Sequence, residues 1–137
     1  WSIAEEELME RITESTKSVV DHFGENIVFI NILRNMSVDC DCAGVGAAPV
    51  VTPNIGIVAS PDILAADQAS VDLVYALKDS DHKDLVERIE TRHGLRQLSY
   101  MKEMHMGNDR YHLINIDEDD KEILPADAVK NVKAFQK

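Results

Sequence analysis

Apolar residues recur at helical spacing near the start of the chain, where Leu8, Ile12, Val19 and Phe23 fall on one face. Ser2 with Glu5 makes an S-x-x-E capping box, and Glu5, Glu6 and Glu7 suit the positive end of a helix. Gly24 is a natural stop, so the pattern predicts an amphipathic helix over residues 3–22. The run Ile27 to Leu33 is short, apolar and β-branched, which predicts a buried strand of the parallel kind. Residues 35–54 carry Gly44, Gly46, Pro49 and Pro53 and predict a loop, a long one for a small domain and therefore of functional interest. Ile55 to Ala59 predicts a second buried strand, with Gly56 open to the approach of another backbone.

Ser60-Pro61-Asp62 has the composition of a helix start: a capping hydroxyl, a proline, then an acid. The helix that follows points Leu64, Val71, Val74 and Leu77 inward. Ser80 or Asp81 caps a third helix that Gly94 closes, and Gly94 and Gly107 bracket a fourth. Tyr111 to Ile116 predicts a third strand, residues 117–120 an acidic turn, and Pro125 opens a last helix bearing Val129, Val132 and Phe135. Helices alternating with short apolar strands predict an α/β fold. The expected architecture is a small, mostly parallel sheet of about three strands flanked by about five helices. It forms one domain over residues 1–137 and is part of a larger one.

Fourteen basic against 25 acidic residues leave a net charge of −11, which argues against nucleic acid and against an anionic membrane surface as partners. No stretch reaches the roughly 20 apolar residues of a membrane span, and Trp1-Ser2-Ile3 running into Glu5-Glu6-Glu7 is not the pattern expected of a secretory leader. The start at Trp1 without Met is expected of a piece of something longer. Cys40 and Cys42 are too close for a relaxed disulfide, so reduced thiols and a cytoplasmic setting fit best.

The sharpest chemical feature is Asp39-Cys40-Asp41-Cys42. Two thiols two residues apart can chelate one soft metal, which makes Cys40 and Cys42 candidate metal ligands. A C-x-C supplies only two ligands, however, and the flanking carboxylates raise thiol pKa values. The plainer reading is a pair of loop cysteines packed beside a strand end. His22, His93 and His105 end helices, where cations are favoured anyway, and His82 is expected to be exposed. No H-x-x-x-H or H-E-x-x-H spacing, G-x-S-x-G, P-loop or complete dinucleotide loop occurs. The run 117–120 lacks the spacing of an EF-hand and reads as a solvated turn. Asp67 and Gln68 sit mid-helix among small residues. With Asp39 and Asp41 they are candidate ligand-binding residues, or they cap the backbone of residues 43–53. Met101, Met104 and Met106 match core spacing as well as a thioether cluster.

Three stretches, in this order, carry a family resemblance: Asn35 to Cys42 (NMSVDCDC), Ala48 to Ser60, and Ala66 to Val74 (ADQASVDLV). Over roughly residues 1–117 the chain resembles the C-terminal part of the family called "domain of unknown function 362". Its members are often described as iron–sulfur-centre or ferredoxin-like proteins. Cys40-Asp41-Cys42 matches that family's C-D-C pattern, and Asp67-Gln68 its D-Q pair. The resemblance implies 4Fe–4S clusters, held by ferredoxin-type cysteine runs upstream that are absent here, and hence an upstream ferredoxin-type region of the same chain as partner. The implied function is a module supporting electron transfer or redox chemistry, with the loop 35–54 mobile or exposed when the module stands alone. Two alternatives stay open. One is a metal- or ligand-binding part of a redox enzyme, built around the Cys-Asp-Cys site. The other is a purely structural or dimerising domain, with a homodimer following from exposed apolar surface.

Overall fold

A computed structural model describes residues 3–39 and 45–135. In chain order the elements are α1 (Glu5–Phe23), β1 (Phe29–Leu33), β2 (Gly56–Ser60), α2 (Ile63–Tyr75), α3 (Asp79–Thr91), α4 (Leu95–Glu103), β3 (Ile114–Asn115), β4 (Lys121–Glu122) and α5 (Pro125–Ala128). The mixed α/β class and five helices agree with the pattern of the chain.

The sheet does not. It consists of two antiparallel pairs, β1 with β2 and β3 with β4, rather than one mostly parallel sheet of three strands. Parallel neighbours need a crossover that carries the chain back to its starting end, usually a helix. The described residues joining β1 to β2 contain no α-helix, so the chain doubles back and pairs antiparallel. The expected third strand shrinks to Ile114–Asn115, because the tight acidic turn after it folds Lys121–Glu122 back onto it. Gly56 pairs with Leu33 of β1, and a Cβ on it would meet open space.

α2 is the central element and packs against β1, β2, α3, α4 and α5. Its N-terminus is held by Asp62, whose carboxylate accepts from Ala65 N at 3.0 Å, while Ser60 Oγ accepts from Asp62 N. Leu33, Leu73, Leu77 and Val129 form one buried cluster, and Ile63, Leu64, Met101 and Met106 form another. The methionines are thus core.

α1 departs from expectation at both its start and its face. Its N-cap is Ala4, without a side-chain cap, and Ser2 lies outside the described residues. Ile12, Val19 and Phe23 are exposed, and Thr13 is its buried residue. The acids at its start pair with α4 and the residues before it, Glu5 with Arg92, Glu6 with His93 at 3.2 Å and Glu10 with Arg96 at 2.6 Å, and Val20 packs into the second core.

The β1–β2 pair is likewise covered on one side. Phe29 and Leu33 pack into the two cores, and Asn31 reaches α2. On the other side Ile30 lies opposite Ala59, and Ile32 opposite Ile57. The three isoleucines are 62%, 64% and 69% exposed, and Val28 extends the same patch.

Candidate functional site

Cys40, Asp41 and Cys42 lie outside the described residues. Asp39 is inside them and anchors its loop. Its carboxylate accepts from Arg88 on α3 at 2.9 Å and from Ala48 N at 2.8 Å. Farther along, Asn54 Oδ1 accepts from Asn35 N at 2.7 Å, and Thr52 and Pro53 are fully buried, while Val45 stands fully exposed. Among the described residues no three His, Cys, Asp or Glu side chains come together as a metal site. No described helix is long and apolar enough to cross a membrane.

Asp67 and Gln68 part company. Gln68 turns along α2 and donates to Asp72 at 2.8 Å, and Tyr111 OH donates to the other oxygen of Asp72 at 2.6 Å. Neither Asp67 nor Gln68 bonds to residues 45–53, and residues 43 and 44 of the segment they were expected to cap lie outside the described residues. Asp67 instead meets β1. Asn31 Nδ2 donates to Asp67 Oδ1 at 2.7 Å and to Ser70 Oγ at 3.0 Å, and Ser70 Oγ donates onward to Ala66 O. This polar group lies beside a cavity of about 200 Å³ that Asp67 and Ser70 share with Val71, Ile89, Leu95, Gln97 and Leu98. Asn31 is the residue that pattern reasoning passed over. An amide in the middle of an apolar strand was the available signal, since a side chain pointing at α2 must find a polar partner there.

Burial pushes the Asp67 carboxyl above its ordinary range, with the Asn31 hydrogen bond opposing in part. A carboxyl whose pKa rises on folding binds its proton more tightly in the folded state. Stability from this group is therefore greatest in acid and declines as pH rises from the ordinary carboxylate range through the raised value. Asp67→Asn keeps an acceptor for Asn31 and removes that decline. Urea titrations across pH are expected to show a flatter profile for the variant and higher stability at neutral pH. Parallel profiles would show that Asp67 carries no such burden.

His82, expected to be exposed, is instead largely covered, with Nδ1 2.8 Å from Val74 O. His112 points to solvent and pairs with Glu122 at 2.7 Å. Neither joins the Asp67 group.

No curated protein and no solved structure matches the chain. A family match covers residues 2–72, which runs from the start of α1 to Asp72, stops well short of residue 117, and takes in Asn31, Asp39 and the C-D-C stretch, Asp67 and Ser70. With slightly more than half of its length so matched, the chain belongs to the family described as Domain of unknown function (DUF362).

Proposed function

We propose that this chain is the α/β module of a larger cytoplasmic iron–sulfur protein, a docking scaffold for electron transfer or redox chemistry carried on clusters held elsewhere. The observation that supports the reading best is the uncovered apolar surface. Val28, Ile30, Ile32 and Ile57 form one patch on the β1–β2 pair, and Ile12, Val19 and Phe23 form a stripe on α1. Contiguous apolar surface of this kind marks an interaction site, and the occupant proposed is the ferredoxin-type region of the same protein. The donor set does not fit a 4Fe–4S cluster within these 137 residues: such a cluster takes four cysteine thiolates, and the sequence has two. Cys40 and Cys42, flanked by Asp39 and Asp41, are the thiols the chain would add to a metal centre completed by that partner region. The reading of a redox enzyme with a shared Cys-Asp-Cys and Asp67 site has less support, because Gln68 turns away from Asp67 toward Asp72.

The test is iron content and amide hydrogen exchange, measured anaerobically on the chain alone and with the ferredoxin-type region supplied. The chain alone is expected to hold no stoichiometric iron, and the β1 and β2 amides to gain protection when the cluster-bearing region is present. Ile30→Lys with Ile57→Lys is expected to abolish that protection. Stoichiometric iron on the chain alone, or unchanged exchange in the sheet, would overturn the proposal.

A further inference from the structure

The cavity between α2, α3 and α4 has features that docking of a redox partner does not use. Asp67 projects from α2 into a space of about 200 Å³. The walls are apolar: Val71 from α2, Ile89 from α3, and Leu95 and Leu98 from α4. Asp67 and Gln97 are polar side chains on its lining, each with one acceptor atom that takes part in no hydrogen bond among the described residues. Asp67 Oδ1 already accepts from Asn31, whereas Oδ2 has no donor among the described residues. Gln97 also lines the space, and its amide nitrogen donates to Met9 Sδ at 2.9 Å, which leaves its oxygen free to accept. No Lys, Arg or His pairs with Asp67 among the described residues.

A half-buried carboxylate without a cation is an unfavourable arrangement, and a cation brought to it removes the imbalance. Both unused polar atoms are acceptors, so the complementary ligand is a donor several times over. The walls require a short apolar body behind it. We infer that this cavity binds a small primary ammonium, a short alkylamine or the amine end of a larger molecule. The –NH₃⁺ group would lie on Asp67 Oδ2 and Gln97 Oε1, and the alkyl chain among Val71, Ile89 and Leu98. An ammonium offers three donors and no acceptor, which matches the site, while an alcohol brings one donor and no charge.

The probe is n-propylammonium chloride, followed by amide chemical shifts in NMR and by the titration of the Asp67 carboxyl carbon, with n-propanol and propionate as controls. Saturable shifts confined to α2, the end of α3 around Ile89 and α4 are expected, with affinity about tenfold or more above that of n-propanol, as a charge-assisted contact requires. The Asp67 titration midpoint should fall when n-propylammonium is present and stay unmoved with n-propanol. Asp67→Asn is expected to lose the binding while keeping its dispersed spectrum. No saturable shift, an equal response to n-propanol, an unmoved midpoint, or binding retained in Asp67→Asn would each overturn the inference. The carboxyl titration is read on the unaltered protein, so the result stands even if the variant fails to fold. It is also independent of iron content and of exchange in the sheet.

Discussion

Gly107→Ala is expected to cost about 2 kcal/mol of stability, the combined scale of a lost helix cap and a local overpacking. A methyl group at this position would collide with the Asp62 carboxylate. That carboxylate has no freedom to retreat. It caps α2 through Ala65 N, and its second oxygen accepts from Asn108 N at 2.8 Å and from Asn108 Nδ2 at 3.0 Å. Moving it uncaps the central helix and releases the segment after α4 together. The two positions are therefore coupled. In an Asp62→Ala background, which itself loses about 1 kcal/mol of capping, the alanine at 107 meets no carboxylate and keeps only the strain of a side chain at a positive φ, so it should cost clearly less. A double-mutant cycle by urea denaturation measures this directly. Additive costs would mean that Gly107 matters for its backbone and not for Asp62.

Leu64→Ala is expected to have a larger effect, about 3 kcal/mol, within the usual range for a leucine truncated in a core. Leu64 is fully buried and sits among Ile63, Met101 and Met106, with Val20 and Phe29 against them. This cluster is where α1, β1, α2 and α4 meet, and it is small. A domain with two clusters of four buried residues has little stability to spare, so the variant should lose cooperative thermal unfolding and bind hydrophobic dyes. Ile30→Lys, on the open side of the sheet, should by contrast leave the melting temperature of the isolated chain nearly unchanged. A cooperative melt in Leu64→Ala would show that the cavity collapses around the smaller side chain.

The helices were legible because their cues are local. Ser60-Pro61-Asp62 ahead of Leu64 and Val74 specifies the start and much of the buried face of α2, although the cap is Asp62 and not Ser60, Val71 is only partly buried, and the buried Leu77 falls just past the helix end. Strand direction was not legible, because it depends on the path of the connecting loop, and an apolar run such as Phe29–Leu33 is compatible with either direction. The inward face of α1 was also misread. Ile12, Val19 and Phe23 have the right period, but the side of α1 that packs on the body is the one carrying Thr13 and Val20, with Glu6 and Glu10 paired along its edge. Periodicity identifies an apolar stripe; it does not say that anything within the same 137 residues covers it. At the site, Asp67 stood out as a charge on a small-residue helix, while its partner Asn31 is 36 residues away in sequence and could be joined to it only by folding.

The ladder of charged contacts along α1 gives this protein two kinds of cohesion. α2 is held by buried hydrocarbon, which salt strengthens if it acts at all. α1 adds to its buried Thr13 and its Val20 in the second core a rim of contacts, Glu10 with Arg96, Glu5 with Arg92 and Tyr100 donating to Glu14 at 3.0 Å, all near solvent, where dissolved ions weaken such pairs. Ionic strength should therefore loosen the rim of the first helix while its Val20 anchor in the second core holds, so that salt tunes the ends of α1 and not its attachment.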